Sequence, residues 1–364
     1  MKKFEIHPDI SLASTLPGSF YCSQEIYERS KNAIFARSWQ LAADRDFVRL
    51  PGQVYPFFLL EGFLNEPLLL TRDSQDRLHL LSNVCTHRGN LLIENPGNAT
   101  MLRCRYHGRR FHLDGKFHSM PEFEGCDGFP SEADNLSTIP FAEWGRWIFV
   151  SLSPKADLEE WLQPMIRRLS WIPVEQFRHD PTRSRDYLVK ANWALYCDNY
   201  LEGFHIPYVH PSLSEAIDYG TYQTEIFPYG VLQIAYSDKG EETFDIPPGH
   251  PDSGKSVAAY YFWFFPNLMF NFYPWGLSLN IVRPVSLELT KISYLTYIWD
   301  ETRLGRGAGA DLDRVEREDQ AIVEAVQKGV HSRFYERGRY SPKREEGVHH
   351  FHRLLTSFLQ DEAL

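Results

Sequence analysis

The sequence predicts an α+β protein of two domains, a small all-β module followed by a larger mixed one. Three observations carry this expectation. From Trp39 to about Leu152 the chain is a series of short β-rich runs separated by turn signals. Beyond Pro173 the strand-like runs lengthen and are followed by a strongly periodic helix. The length, 364 residues, is long for one core and comfortable for two.

Taken in order, Gln24 to Trp39 places Ile26, Tyr27, Ile34 and Phe35 at helical spacing and predicts an opening amphipathic helix. The short strands that follow include Gln53-Val54-Tyr55-Pro56, Pro67-Leu68-Leu69-Leu70, Leu78-His79-Leu80-Leu81 and Arg146-Trp147-Ile148-Phe149-Val150. Pro96-Gly97 and Asp114-Gly115 punctuate them as turns. Residues 156–173 read as a helical connection. Further strands are expected around Gly230–Tyr236, Val257–Phe265, Leu268–Phe272, Ser278–Val282 and Ile292–Ile298. The loop Leu304–Ala310, with three glycines, leads into a helix from about Ala310 to Phe334. No internal repeat or low-complexity tract interrupts this pattern.

Apolar residues make up 43% and charged residues 24%, the balance of a soluble globular chain. A formal net charge of −10 gives a nucleic-acid partner no electrostatic support. Lys2 and Lys3 are followed by Glu5, His7, Pro8 and Asp9 rather than an apolar run, so no secretory leader is expected. No apolar stretch is long enough to predict a membrane span, and the expected location is the cytoplasm. The five cysteines are too sparse for a disulfide framework, which leaves metal ligation or ordinary burial.

Cys85-Thr86-His87 is followed, after sixteen residues, by Cys104-Arg105-Tyr106-His107. Two mixed Cys/His pairs suit a [2Fe–2S] cluster in which two thiolates hold one iron and two imidazoles the other, each loop giving one ligand to each iron. Exchanging two thiolates for imidazoles raises the reduction potential, as an electron relay towards oxygen needs. A zinc site also uses two cysteines and two histidines, but usually pairs like with like. A Cys85–Cys104 disulfide would leave both histidines unexplained. The stretch from Asn83 through Gly89, Cys104 to Gly108, Phe111 and Asp114-Gly115 resembles the Rieske domain of ring-hydroxylating oxygenases. Arg109-Arg110 departs from that family, which often carries a tryptophan beside the cluster, so local packing there is open.

A second constellation lies in Asp198 to Pro211, where Glu202, His205 and His210 form E-x-x-H-x-x-x-x-H. Glu202 and His205, three apart, share one face of a helix. His205 and His210 are roughly 140° apart on an ideal helix, so both reach one metal only if the helix breaks, and Pro207 between them is the expected break. Two histidines and a carboxylate make the facial triad of non-haem Fe(II) sites. The carboxylate is sought on the late helix. There Leu312, Val315, Ile322, Val326 and Val330 form an apolar stripe, and Asp319 falls on it. A buried carboxylate calls for a cation or metal. Pairing with Arg314 or Arg317 is the rival use of Asp319, and Glu318, off the stripe, is the rival ligand.

The segment 198–211 resembles the mononuclear-iron motif of Rieske oxygenase catalytic domains, and Asp319 with Glu324 resembles their late acidic ligand helix. The resemblance, which covers nearly the whole chain, implies a helical segment at 1–38 packing on the catalytic domain. It implies a Rieske domain at 39–155 and a helix-grip catalytic domain at 156–364. It implies that Glu202 bridges His205 to a cluster histidine, His107, of a neighbouring subunit in a homotrimer. It further implies O2 as co-substrate, with electrons from NAD(P)H through a separate reductase or ferredoxin. No G-x-G-x-x-G loop follows a strand here, in keeping with a separate reductase. His349, His350 and His352 are read as packing or surface residues, and Cys126 and Cys197 as small buried side chains.

The run Tyr260 to Phe265, continued by Phe270, Phe272, Tyr273 and Trp275, belongs to a sheet, with alternate rings free to line a pocket. Aromatic walls suit a quaternary ammonium group or, by stacking, an arene. The chain length and the Glu202 bridge resemble choline, betaine and carnitine monooxygenases more than arene dioxygenases. A quaternary or methylated amine is the expected substrate, and an aromatic ring the alternative. A Rieske electron carrier without oxygenase activity and a zinc-stabilised binding protein are the rivals from other classes.

Overall fold

The computed structural model describes residues 4–211, 213, 217–237, 242–310 and 312–361. Of the N-terminal leader reading, residues 1–3 lie outside them. The chain divides into two compact units, one of Trp39–Pro154 and one of Met1–Ser38 with Lys155–Leu364.

The first unit is built from three small antiparallel sheets. Glu66–Arg72 pairs on one side with Leu78–Ser82 and on the other with Gln53–Leu59, which also pairs with Gly97–Asn98. A second sheet runs Gln40–Asp44, Trp147–Val150, Phe141–Trp144, and a third runs Leu102–Arg103, Arg110–Phe111, Phe117–Ser119. A core between the first and third of these sheets holds Val54, Leu69, Leu81, Leu102, Phe111 and Leu136, together with the two cysteines Cys85 and Cys104. The expected Asp114-Gly115 turn is present. Gly115 sits at φ +84°, where a Cβ would come within 2.8 Å of Leu81, so only glycine fits.

Arg109, where a tryptophan was the family expectation, is 2% exposed. Its guanidinium lies 4.9 Å from the Phe117 ring centre and 5.6 Å from those of Phe111 and Phe129, and donates to Asp134 Oδ1 at 2.6 Å. The planar cation thus fills an aromatic slot, as an indole would, with Asp134 neutralising it. Arg110 is exposed on its strand.

The second unit is a seven-stranded antiparallel sheet with helices. Its order is Arg178–Val189, Leu289–Ile298, Gly276–Ser286, Leu268–Tyr273, Val257–Phe264, Gly230–Tyr236, Gln223–Phe227. Six strands form a meander in chain order, and the first strand closes onto the last. Arg178–Val189 escaped the sequence reading because Arg178, Arg183, Arg185 and Asp186 make it polar on both faces, as an edge strand can be. Gln223–Phe227, the opposite edge, escaped as well. The helix Glu346–Gln360 was also missed, although Val348, Phe351, Leu355 and Phe358 bury at helical spacing.

Two helix boundaries differ from expectation. The opening helix spans Gln24–Ala33, with the Ser23 hydroxyl accepting from the Ile26 amide, and gives way to a 3-10 turn at Phe35–Arg37 instead of running to Trp39. The late helix spans Leu312–Val330. Its buried residues are Val323, Gln327 and Val330, whereas Ile322 and Val326 are 39% and 43% exposed. The inward face therefore runs through Glu316, Asp319, Val323, Gln327 and Val330; of the expected apolar stripe, Val330 is buried, but Ile322 and Val326 face outward. Gln327 explains the rotation: its Oε1 accepts from the Asn192 amide at 2.8 Å, so a polar side chain anchors the buried face. Cys197 is fully buried, but Cys126 is exposed, within a stretch at 121–130 that lies mostly at the surface. Among the described residues no helix is long and apolar enough to cross a membrane.

The Arg109–Asp134 pair makes a stability prediction. Arg109→Met strands Asp134, and Asp134→Asn strands Arg109, so each should destabilise this unit by about 3 kcal/mol, with the double variant well short of the sum. The check is the urea midpoint at which cluster absorbance is lost; additive losses would contradict a coupled pair.

Candidate metal centres

Cys85 and Cys104 stand at the start of two loops built alike. In one, the Cys85 amide donates to Asn90 O at 2.8 Å and the Gly89 amide donates back to Cys85 O at 3.0 Å. In the other, the Cys104 amide donates to Arg109 O at 2.8 Å and the Gly108 amide donates to Cys104 O at 3.0 Å. Gly89 and Gly108 occupy matching positive φ, 70° and 78°, which closes each loop four residues after its cysteine. The two thiols are 2% exposed and interact with each other. His87 and His107 face one another with ring centres 4.8 Å apart.

Both imidazoles turn Nδ1 inward, and neither nitrogen has a hydrogen-bond partner. An orphaned buried nitrogen is costly, and two of them beside two buried thiols is the donor set of a cluster with mixed ligation. Burial, with help from His107, Arg88 and Arg109, pushes the His87 imidazole below its usual value, towards the neutral form an iron ligand requires. The residues present fit a Rieske cluster.

In the second unit, the helix Trp193–Tyr200 ends before Glu202, and a short helix Ile206–Val209 follows. Glu202 and His205 thus do not share a helix, as the sequence reading had it. Pro207 sits in the first turn of the second helix, where a missing amide costs nothing, so the break falls at 201–205 rather than at the proline. Within that break Gly203 lets the chain pack under the Tyr222 ring, which lies 2.8 Å from where a Cβ would be.

His205, His210 and Asp319 converge so that one donor atom from each lies within 4.8 Å of the others. His210 Nε2 is 3.0 Å and His205 Nε2 3.4 Å from Asp319 Oδ1. Each imidazole is oriented by a carboxylate on its other nitrogen. His205 Nδ1 meets Glu202 Oε1 at 2.6 Å, and His210 Nδ1 meets Glu318 Oε2 at 2.8 Å. Asn199 Nδ2 donates to Asp319 Oδ1 at 2.6 Å. Carboxylate–histidine pairs of this kind leave Nε2 to the metal. Burial works against a charged His205, but hydrogen bonds to Asp319 and Glu202 win and push it up to about 10. Burial likewise works against an ionised Asp319, yet its bonds to His205 and His210 hold it down at about 2. Burial opposes a charged His210 too, and its hydrogen bond to Asp319 raises it nonetheless, so the three groups hold one another, and a divalent cation would displace the protons from between them.

Arg314 pairs with Glu318 and Arg317 with Asp313, so neither takes Asp319. Glu318, expected only as a rival ligand, instead orients His210; its place off the stripe hid that use. Glu202 holds His205 through Oε1, while Oε2 accepts the amides of Phe204 and His205. His352 is buried against Asp198, Tyr340 and Tyr21, and His349 bonds to His7 O. A further group of possible ligands, Cys22, Glu288 and His331, is half exposed at the surface and was not anticipated.

The triad opens onto a cavity. Its floor is one register line across the sheet, Gln233–Tyr261–Asn271–Ser278, and its walls include Tyr196, Tyr200, Tyr222 and Glu316. Of the aromatic run, Tyr261 and Tyr273 face this cavity. Tyr260, Phe262, Phe264, Phe270 and Phe272 pack on the opposite face, and Trp263 packs against Phe351.

These contacts rank the acids. Asp319→Ala should abolish mononuclear iron binding and leave the cluster spectrum unchanged. Glu318→Ala should weaken iron binding about 10–100-fold by freeing His210. Iron affinity by chelator competition checks both; full affinity in Glu318→Ala would remove its orienting role.

Residues 168–361 match the family described as ring hydroxylating alpha subunit (catalytic domain), and residues 38–130 match the Rieske [2Fe-2S] domain. The chloroplastic choline monooxygenase of Arabidopsis thaliana is 30% identical over 373 residues, spanning 96% of this chain and 85% of that protein. The carnitine monooxygenase oxygenase subunit of Escherichia coli K12 is 28% identical, spanning 96% and 95%. The fold matches the crystal structure of the quaternary ammonium Rieske monooxygenase CntA in complex with L-carnitine, with a TM-score of 0.78 at 24% identity over 99% of this chain and 100% of that one. With both domains matched and a relative at 30% identity along nearly its full length, the chain belongs to the Rieske non-haem iron oxygenases as an alpha subunit, an oxidoreductase that uses O2, a [2Fe–2S] cluster and a mononuclear iron.

Proposed function

We propose that this oxygenase hydroxylates or oxidatively demethylates a quaternary or methylated amine. In this reading Cys85, His87, Cys104 and His107 hold the cluster, and His205, His210 and Asp319 hold the iron. The observation that carries it is the convergence of His205, His210 and Asp319 on a cavity walled by tyrosines, whose ring faces attract a quaternary ammonium group by about 0.5–2 kcal/mol each. The choline and carnitine monooxygenases among its relatives support the same substrate class. An arene would draw on the same tyrosine rings by stacking, but it would leave the cavity carboxylate Glu316 without an opposite charge.

When bound, the cluster supplies single electrons and the ferrous ion the place where O2 is activated. The protein's part is positional. Glu202 and Glu318 hold the two imidazoles through Nδ1, so both Nε2 atoms point at Asp319. The cavity tyrosines seat the substrate beside them and exclude water. Glu202 also serves as the bridge from His205 to His107 of a neighbouring subunit in a homotrimer. Exposed aromatics beside both sites, Tyr106 next to His107 and Phe204 and Tyr208 around His205, are in keeping with docking of such a neighbour. A separate reductase or ferredoxin supplies the electrons, and the reading places the enzyme in the cytoplasm.

The test is O2 uptake with a reductase across a panel of methylated amines and arenes. Uptake matched to formaldehyde or hydroxylated amine supports the reading, and uptake with arenes alone refutes it. A second prediction concerns Glu202. Glu202→Gln should retain both metals and accept electrons normally, yet reoxidise its cluster at least about tenfold more slowly under substrate and O2 in stopped-flow absorbance. Mixing Glu202→Gln with Cys85→Ser chains should restore part of the activity. Mixed trimers, verified by mass spectrometry, that stay as inactive as either parent would contradict a route between subunits.

A further inference from the structure

Within the cavity the charged side chains beside the two imidazoles are Glu202, Asp319 and Glu316. The first two are accounted for by His205 and the triad. Glu316 is not. It stands one turn before Asp319 on the helix Leu312–Val330 and is half-buried, lining the cavity. Its Oε2 accepts from Tyr196 OH at 2.7 Å and from Tyr294 OH. Among the described residues no arginine, lysine or histidine forms an ion pair with it, and the cavity lining contains neither arginine nor lysine. Burial, and then Asp319, push its carboxyl up to about 8, so the chain itself provides little to hold a negative charge there.

Two phenols satisfy hydrogen bonds but do not neutralise a carboxylate taken from water, so the empty cavity favours the protonated acid, and a cation seated beside it would draw it into the ionised form. Glutamine would accept from both at no electrostatic cost, so a plain structural role does not account for the acid. The missing partner is a cation that enters with the ligand. Tyr196 reaches from this carboxylate to the cavity wall, where Tyr200, Tyr261 and Tyr273 present aromatic surface. We propose that Glu316 is the counter-charge that seats the ammonium group of the substrate and sets the site's preference for a cation over a neutral molecule of equal shape. This rests on the amine reading above and names the residue that would enforce it. The orientation of Glu316 by Tyr196 and Tyr294 makes both phenols positioning residues for it.

The experiment is anaerobic calorimetric binding to the reduced holoenzyme. The cationic probes are tetramethylammonium, choline and carnitine, and the neutral probe is 3,3-dimethylbutan-1-ol, the uncharged isostere of choline. Glu316→Gln should weaken every cation that binds the wild type by about tenfold or more, as loss of a desolvated charge partner does, and change the neutral alcohol by less than about threefold. Glu316→Asp, which keeps the charge, should keep the preference for cations. Iron and cluster content equal to wild type shows that each variant is folded and loaded. Wild-type protein that binds the cations, with Glu316→Gln binding them equally well, overturns this inference and leaves the amine reading standing. Equal losses for cation and alcohol assign Glu316 to cavity shape and also overturn it. A wild type that binds none of the cations overturns the amine reading first and this inference with it.

Discussion

A polar atom withdrawn from water must find a partner, and that constraint accounts for more of this structure than any other. His87 and His107 each bury an Nδ1 that meets no protein group, beside two thiols that are almost wholly buried. His205 and His210 have their Nδ1 atoms held by carboxylates, and their Nε2 atoms crowd a third carboxylate. In a fold selected only for stability the first arrangement would cost about 1–3 kcal/mol per unsatisfied nitrogen, and the second would bury charges that apolar side chains could replace. Both become assets once a metal takes the free positions, since the donors are then preorganised and need no rearrangement.

The two centres reach that end by different means. The cluster loops are local devices: a cysteine, a glycine at positive φ four residues on, and a histidine between them, repeated at 85–89 and 104–108. The mononuclear site is assembled from afar. Helix Trp193–Tyr200 contributes Asn199, the turn and short helix after it His205 and His210, and the helix Leu312–Val330 Asp319. The sheet supplies polar residues at strand centres, Gln233, Asn271 and Ser278, tied to Tyr200 and to one another by hydrogen bonds. Electrostatics then binds the parts, because neither a buried imidazolium nor a buried carboxylate is stable there alone.

How much was legible in the sequence follows from this difference. The four proposed cluster donors, Cys85, His87, Cys104 and His107, lie within a short local pattern that spacing and side-chain chemistry alone can mark. Asp319 was reached through a stripe with two misplaced members; Ile322 and Val326 face outward, while Gln327 faces in and bonds to the Asn192 amide. The position of the chain break near Glu202 was missed because Pro207 looked like its cause, whereas the helix has already ended at Tyr200 and Pro207 opens the next one. Glu318 and Glu316 stayed hidden, since on a helix with many acids nothing in the sequence separates a solvent carboxylate from one bonded to His210 or to Tyr196. The edge strand Arg178–Val189 was illegible for the opposite reason: without a buried face it has no alternation to read.

The central claim is that His87 and His107 offer their free Nδ1 atoms to one iron of a two-iron cluster. Redox titration of the cluster, followed by its visible absorbance, in the wild type and in His107→Cys tests it most directly. The account predicts a wild-type potential within about −150 to +300 mV and a variant that keeps a [2Fe–2S] chromophore while its potential falls towards about −400 mV. A wild type that shows no iron–sulfur absorbance after anaerobic reconstitution, or a variant with an unchanged potential, would contradict it.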